Sequence, residues 1–280
     1  MKKQYSFLFP LLWVLVTTLI SLCCLSARQC ATQFSVVNYT VSSEKITEPV
    51  RIVQLSDLHG KEFQELAQTV AQQQPDLIVM TGDMMDKSDA APDVVCDLIR
   101  SLQDVAPIYY CYGNHEQTWM SASGADLTPL LTEAGAVVLD ANFTDITIHD
   151  QTLRIGGFHG YYRYWHMLEN TGAEEIFAEN FENTEHFKLL LNHIPTGWLD
   201  WGRMHDLPID LVLTGHYHGG QIRVPLLGGL YAPYVGYFPK YTEGMYEGES
   251  ATVILSTGLG SSPGIPRINN LPQLIVIDIV

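Results

Sequence analysis

The feature that most constrains the fold is a series of short apolar runs, each of which ends directly in a group of polar residues. The runs are rich in β-branched and aromatic residues, a pattern typical of buried strands. In chain order they span residues 51–55, 77–80, 108–112, 187–191 and 211–213. Because the polar groups follow the runs, the sequence predicts that these side chains lie at the ends of strands.

The polar groups contain aspartate, asparagine and histidine, which together suit a mixed oxygen and nitrogen site for divalent cations. They are Asp57-Leu58-His59, Gly82-Asp83, Gly113-Asn114-His115-Glu116, Asn192-His193 and Gly215-His216-Tyr217-His218. Side chains two residues apart in an extended segment project from the same face, so Asp57 and His59 can reach one ion. The same spacing predicts that His216 and His218 act as a pair.

Each group taken alone has a simpler explanation. Asp57 and His59 fit a helix cap beside a surface histidine, while Asp83 and Asn114 follow glycines and fit turns. His193 fits a core histidine with satisfied hydrogen bonds. The last group is the most specific, because two histidines on one face of a core strand would each need a buried partner. The occurrence of all the groups in one chain favours a metal site.

The residue types at two of the groups indicate a particular chemistry. The carboxylate of Asp83 can bridge two cations, and a separation of about 3.5–4 Å between them suits in-line displacement at phosphorus. The amide oxygen of Asn114 can bind a metal ion. His115, one residue further on, would point elsewhere and be free to act on a substrate.

An apolar stretch from Phe7 to Leu25 follows Lys2 and Lys3 at the N-terminus. A helix that spans a membrane needs about 20 apolar residues, and this stretch is close to that length but long for a signal-peptide core. Residues 1–30 are therefore predicted to form a retained single-pass anchor, with cleavage near Ala27 and a secreted form as the alternative. The paired lysines place the N-terminus in the cytoplasm and the remainder on the outer face.

The rest of the chain divides into a polar stretch, residues 31–49, which is either a linker or an edge strand, and a catalytic domain over residues 50–280. Helical patterns over 62–74, 92–103 and 126–135 alternate with strands in βαβ order and indicate a largely parallel sheet. The apolar runs between residues 137 and 158 are separated by short polar turns and predict antiparallel pairing. Two sheets packed face to face, with helices outside, accommodate this order.

Charge and cysteine usage exclude some classes of partner. The formal net charge is −16, and there is no cluster of Lys and Arg beyond Arg28, so nucleic acid is not expected as a partner. The five cysteines include no Cys-x-x-Cys pair, which argues against a thiolate zinc site and a disulfide framework. The Tyr- and Gly-rich segment 225–249 is predicted to be a loop layer over the site or a surface for a partner.

In this order, the polar groups resemble the motifs of the calcineurin-like metallophosphoesterase family: Asp-x-His, Gly-Asp, Gly-Asn-His-Asp/Glu, His and Gly-His-x-His. The resemblance covers residues 51–280. The chain looks most like the membrane-anchored bacterial branch, since its last motif continues as Gly219-Gly220-Gln221-Ile222-Arg223-Val224-Pro225.

The resemblance implies an α/β fold, namely an αββα sandwich of two mixed sheets flanked by helices, with a dinuclear centre at the strand ends. The ions would be manganese, iron or zinc. One ion would be held by Asp57, His59 and His218 and the other by Asn114, His193 and His216, with Asp83 as the bridge.

The activity that the resemblance implies is hydrolysis of a phosphate monoester, diester or pyrophosphate by a metal-activated hydroxide. His115 would protonate the leaving group or stabilise the transition state, with Glu116 orienting its ring. Arg267, and Arg163 in the aromatic stretch 161–166, are predicted to contact a phosphorylated small molecule or a lipid-linked substrate. The alternatives are an envelope protein that binds metal without turnover and an exported nuclease. The complete ligand set argues against a protein without turnover, and the acidic charge argues against a nuclease.

Overall fold

The computed structural model describes residues 8–160, 172–261 and 264–280. It contains an N-terminal helix, α1 (Leu8–Thr32), followed by an α/β domain built on two six-stranded sheets.

The first sheet contains most of the N-terminal strands together with the last strand of the chain. Its members are β1 (Ser35–Val41), β2 (Val50–Leu55), β3 (Leu77–Met80), β4 (Ile108–Tyr110), β5 (Ala136–Val138) and β16 (Gln273–Ile279). The order is β1-β16-β2-β3-β4-β5, in which β2 to β5 are parallel and β16 is antiparallel to β2. Of the two alternatives for residues 31–49, the structure therefore has the edge strand, which pairs in parallel with β16.

The second sheet is formed by β6 (Asn142–Ile148), β7 (Gln151–Gly157), β8 (Phe187–Leu191), β9 (Leu211–Thr214), β14 (Gly244–Glu247) and β15 (Thr252–Leu255). Their order is β14-β15-β9-β8-β7-β6, with parallel pairing from β15 to β7 and an antiparallel strand at each edge. Two small hairpins lie between β9 and β14. The first pairs β10 (Arg223–Val224) with β11 (Gly228–Gly229), and the second pairs β12 (Tyr231–Ala232) with β13 (Gly236–Tyr237).

The prediction of antiparallel pairing between residues 137 and 158 is wrong for the first of these strands. β5 belongs to the first sheet and pairs in parallel with β4, and only β6 and β7 form an antiparallel hairpin. Two helices, α4 (Asn114–Ser123) and α5 (Thr128–Ala134), connect β4 to β5. They provide the long crossover that a parallel pair requires.

Alternation along the strands divides the core into layers, because successive side chains in a strand point to opposite faces. In β2, Ile52 packs between the sheets, whereas Val53 packs against α2 (Leu66–Gln72) and α3 (Asp93–Leu102). In the second sheet, Leu190 of β8 packs with residues of α6 (Gly172–Glu182) and α7 (Thr196–Leu199).

The result is two mixed sheets with helices on both outer faces, which confirms the predicted sandwich. The helix expected over residues 62–74 is shorter and begins only at Leu66.

The helical segment Phe9–Thr32 is long and apolar enough to cross a membrane, judged by length and composition alone. Most of this helix is exposed, but its last turns meet the domain. Ser26 Oγ accepts a hydrogen bond from the Asn269 backbone N–H at 2.7 Å, and Cys30 O accepts one from Lys61 Nζ at 3.3 Å. Cys30 itself is buried.

Candidate metal centre

The candidate ligands lie in the loops that follow parallel strands of both sheets. Since the carboxyl ends of parallel strands meet at one edge of a sheet, these loops are brought close together. Asp57 and His59 follow β2, Asp83 follows β3, Asn114 follows β4, His193 follows β8, and His216 and His218 follow β9. Contacts such as that of His193 Nδ1 with Thr81 O, at 2.8 Å, join the loops of the two sheets.

One group of possible ligands consists of Asp57, His59 and His218, whose ligand atoms all lie within 4.8 Å of one another. His59 Nε2 is 3.3 Å from His218 Nε2, which in turn is 3.7 Å from Asp57 Oδ1. Two imidazole nitrogens and a carboxylate oxygen therefore face a common point, as the ligands of one cation do.

A second group consists of Asp83, His193 and His216, again with ligand atoms within 4.8 Å of one another. His193 Nε2 lies 3.1 Å from Asp83 Oδ2 and 3.2 Å from His216 Nδ1. The two groups are adjacent, since the same nitrogen of His193 is 3.9 Å from Asp57 Oδ1.

Unpaired buried atoms test whether these residues fit metal ions. Within the described part of the chain, Asn114 Oδ1 and His216 Nε2 are buried without a hydrogen-bond partner. A buried polar atom left unpaired costs about 1–3 kcal/mol, so it is rare unless the atom has another ligand. An amide oxygen and imidazole nitrogens are suitable ligands for Mn, Fe or Zn. The residues therefore fit a metal centre.

The backbone at the ligands is not extended, so the geometry that the sequence predicted for them is wrong. Asp57 (φ 51°), His59 (φ 50°), Asp83 (φ 49°), His216 (φ 71°) and His218 (φ 47°) all have left-handed conformations. Each such residue costs about 1–2 kcal/mol, and such strain persists where the surrounding structure fixes it, often at functional sites. The paired residues still converge, but through tight turns and not along one face of a strand.

Glycines beside the ligands allow the loops to approach closely. A Cβ at Gly113 would overlap the carboxylate of Asp83, and one at Gly215 would overlap that of Asp57. The Gly-Asn and Gly-His spacings in the sequence therefore have a steric cause.

Burial and neighbouring charge divide the histidines into two kinds. Burial opposes a charge on His193, but the charges of Asp83 and Asp57 outweigh it and raise the pKa of His193 to about 10. Burial, with the charge of His193, lowers the pKa of His216 to about 3, and burial beside His59 holds the pKa of His218 well below its usual value. His216 and His218 are thus neutral, and a neutral imidazole has a lone pair for a cation.

His115 lies at the edge of these groups, with its Nε2 4.0 Å from Asp83 Oδ2. Its Nδ1 accepts a hydrogen bond from the Lys87 backbone N–H at 3.1 Å, so the neutral ring has its proton on Nε2 and directs it toward the site. Asp86 Oδ2 is 3.3 Å from the same Nδ1, and it also lies 3.7 Å from His59 Nδ1. Asp86 thus contacts two site histidines, a position that its sequence pattern did not indicate.

Glu116 does not contact the His115 ring in the described structure, which corrects the expectation that it orients that ring. Its buried carboxylate accepts hydrogen bonds from the backbone N–H groups of Asp83 (2.9 Å), Met84 (2.8 Å) and Gly113 (2.8 Å) and from the Tyr110 hydroxyl (2.8 Å). Burial, together with the charge of Asp83, raises its pKa. Glu116 therefore joins the loop after β3 to the start of α4.

The two arginines that were predicted to contact substrate have different outcomes. Arg267 is buried, where its Nε donates to Gly260 O at 2.6 Å, a terminal nitrogen contacts Thr257 O, and the same nitrogen is 3.4 Å from His218 Nδ1. Arg163 and the aromatic stretch 161–166 lie outside the described residues.

Two sheets with helices on both faces, and paired groups of carboxylates and imidazoles at the strand ends, define the class of metal-dependent phosphoester hydrolases. The model of the calcineurin-like phosphoesterase family matches residues 50–220. The chain belongs to this family, and it is a phosphoester hydrolase.

Curated bacterial relatives resemble the chain over most of its length. It is 30% identical over 235 residues to the uncharacterized metallophosphoesterase YkuE of Bacillus subtilis, covering 81% of this chain and 77% of the relative. It is 28% identical over 240 residues to the phosphodiesterase YaeI of Escherichia coli, covering 83% of each. It is also 28% identical over 240 residues to the uncharacterized metallophosphoesterase YkoQ of Bacillus subtilis, covering 80% and 82% respectively.

Proposed function

We propose that the chain hydrolyses phosphodiesters with two divalent ions, one held by Asp57, His59 and His218, the other by Asn114, His193 and His216, with Asp83 between them. The main support is the convergence of ligand atoms into two adjacent groups, with the amide oxygen of Asn114 buried and unpaired among the described residues. The name of the Escherichia coli relative supports a diester over a monoester or pyrophosphate.

When bound, manganese, iron or zinc would supply Lewis acidity and lower the pKa of water. The protein would provide the remaining chemistry. His115, with its proton on Nε2, would donate a hydrogen bond to the charge that develops on the leaving-group oxygen. The Lys87 backbone N–H, which donates to Nδ1, holds the ring in this orientation.

We infer that α1 is a retained anchor and that the catalytic domain lies on the outer face of the membrane. Lys2 and Lys3 precede the apolar helix, which favours a cytoplasmic N-terminus. The contact of Ser26 with the domain supports retention, because cleavage near Ala27 would remove Ser26 and the helix before it.

The test is turnover by the full chain in detergent with manganese, with bis-p-nitrophenyl phosphate as substrate and bound metal measured by mass spectrometry. Asn114→Ala and His216→Ala should lose metal and activity together. Substitution of a residue that contacts a metal ligand lowers metal affinity or activity by roughly 10–100-fold, and substitution of a ligand itself should lower them more. His115→Ala should lose turnover and retain metal. Undiminished turnover in all three variants would refute the proposal.

A further inference from the structure

The two hairpins after β9 expose large apolar side chains to solvent. Their turns are Pro225-Leu226-Leu227 and Pro233-Tyr234-Val235. The exposed fractions are 105% for Leu226, 65% for Leu227, 68% for Tyr234, 76% for Tyr237 and 51% for Phe238. We call these five residues the apolar hairpin surface. Several large apolar side chains exposed on neighbouring turns indicate a candidate binding surface.

The hairpins are ordered elements, so the exposure does not come from a loop that failed to pack. The Leu230 backbone N–H donates to Ile222 O at 2.8 Å, and Phe238 N–H donates to Leu230 O at 2.9 Å. Ala232 is buried, and the Cα of Gly229 lies so close to Gly220 that a Cβ at Gly220 would overlap it. One side of the hairpins thus packs on the domain while the other presents leucine and tyrosine to its surroundings.

The apolar hairpin surface adjoins the candidate metal centre. The ring of Tyr234 stacks on the ring of His216, with centroids 5.3 Å apart and an interplanar angle of 14°. A group bound at the hairpins would therefore lie next to a predicted metal ligand.

The helix α1 enters the domain at the same edge. Ser35, at the start of β1, pairs with Gln273 at the start of β16. Ile275 of β16 pairs with Gln54 near the carboxyl end of β2, three residues before Asp57. The start of β1 thus lies at the edge of the first sheet that carries the candidate ligands.

A single residue joins the helix to the first hairpin. The Asn269 backbone N–H donates to Ser26 Oγ of α1 at 2.7 Å, and its side-chain Nδ2 donates to Arg223 O of β10 at 3.2 Å. The membrane-spanning candidate, the hairpins and the metal centre therefore share one edge of the sandwich.

We propose that the apolar hairpin surface inserts into the membrane leaflet beside α1, and that the substrate is the phosphodiester of a lipid headgroup in that leaflet. This inference rests on the proposed function. Water adds to phosphorus, the bond to the leaving oxygen breaks, and that oxygen takes a proton, which gives a phosphomonoester and an alcohol. Leucine with tyrosine suits the boundary between headgroups and acyl chains. The net charge of −16 gives the chain no general attraction to anionic lipids, so we expect insertion to depend on apolar side chains.

Insertion is tested directly with the full chain in lipid nanodiscs. Leu227→Trp adds a fluorescent side chain at the hairpin tip. Lipids that are brominated near the glycerol end of the acyl chain should quench the tryptophan fluorescence of this variant more than that of the native protein. The matched control is Val137→Trp, at a position 46% exposed on the edge strand β5, which should show no added quenching. Equal quenching of the Leu227→Trp and native chains would overturn insertion.

Substrate class is tested with vesicles of phosphatidylcholine that contain phosphatidylglycerol, phosphatidylethanolamine or cardiolipin. The double variant Leu226→Ser/Leu227→Ser should cleave the lipid at least about tenfold more slowly while its turnover of bis-p-nitrophenyl phosphate stays within about twofold. Val137→Ser should change neither rate. If the native chain cleaves the soluble diester and none of these lipids, or if the double variant cleaves lipid at the native rate, this inference fails. If the native chain cleaves neither substrate, the proposed function fails.

Discussion

The two sheets contribute different atoms to the candidate metal centre. The loops of the first sheet provide the oxygen donors Asp57, Asp83 and Asn114, whereas the loops of the second provide the imidazoles of His193, His216 and His218; His59 is the exception. Neither sheet alone has a complete set of candidate ligands for either ion. The centre therefore depends on the packing of the two sheets, and an ion bound there would hold them together.

The sheets also differ in how they fix their ligand loops. The first uses a buried carboxylate, Glu116, that accepts hydrogen bonds from the loop after β3 and the start of α4. The second uses a neutral amide, Asn192, which donates to Phe158 O and Gly160 O and accepts from Trp198 Nε1. Glu116 is influenced by the charge of Asp83, whereas Asn192 is neutral. We therefore expect substitution of Glu116 to lower the free energy of unfolding more than substitution of Asn192.

The largest expected effect on stability is that of Glu116→Ala. It leaves the buried N–H groups of Asp83, Met84 and Gly113 unpaired, and we expect a loss of about 3–5 kcal/mol in the free energy of unfolding of the metal-free protein. Urea unfolding measures this loss. Glu116→Gln, which keeps the shape and one acceptor oxygen, should lose less. A loss under about 1 kcal/mol for the alanine variant would mean that the loops are fixed by other contacts.

The second effect is the stabilisation of the folded protein by a manganese ion bound between the two sheets. Manganese at about 100 times its dissociation constant should stabilise the native chain by about 2.7 kcal/mol, and a chelator should remove this increment. His216→Ala, on the second sheet, and Asp83→Ala, on the first, should each abolish the increment. Thermal unfolding with and without manganese is the measurement. An increment that survives in both variants would place the ion elsewhere.

The third effect is that of Asn192→Ala on the second sheet. Removal of the amide leaves the indole N–H of Trp198 without this partner, together with two carbonyl groups, so we expect a loss of about 1–3 kcal/mol. Urea unfolding in the absence of metal gives the value. Because the candidate ligands are intact, the manganese increment should persist. If Asn192→Ala lowered the free energy of unfolding as much as Glu116→Ala, the expected difference between a charged and a neutral side chain at these positions would be wrong.

The strands and the candidate ligands were predictable because both are local patterns in the sequence. The apolar run Leu77–Met80 is a strand as expected, and Asp83 follows three residues after its end. Which strands pair with one another was harder to predict from the sequence. The run at Ala136–Val138 has the same local pattern as its neighbours, and only the crossover through α4 and α5 assigns it to the first sheet.

Features that depend on contacts between distant residues could not be predicted from the sequence. Glu116 has the spacing of a motif residue, but its partners Asp83 and Met84 are more than thirty positions away. Asp86 follows Asp83 at a distance of three residues, and nothing in that spacing indicates its contacts with His59 and His115. The left-handed backbone of the ligands is likewise set by the packing of the loops, since no local pattern requires it.

The smallest expected effects come from one bidentate ion pair in each sheet, both between directly opposite residues. Arg51 donates to both carboxylate oxygens of Asp278 across β2 and β16, and Arg154 donates to both of Asp145 across β7 and β6. Exposed pairs contribute less than about 1 kcal/mol. Arg154 is less exposed than Arg51, at 13% against 43%. It also donates to two backbone carbonyl groups, Asn180 O and Asn183 O, whereas Arg51 donates to one, Gln73 O.

We therefore expect Asp145→Asn to lose more stability than Asp278→Asn, with both losses below about 1 kcal/mol. The hydrogen bond from its arginine lowers the pKa of each aspartate. Since a lowered pKa stabilises the folded state above the unfolded value of about 3.9, each contribution should disappear as pH falls through the folded pKa. Urea unfolding at neutral and acid pH tests this. A larger loss for Asp278→Asn would show that β16, which joins the edge strand after α1 to the rest of the first sheet, depends on its ion pair more than its exposure suggests.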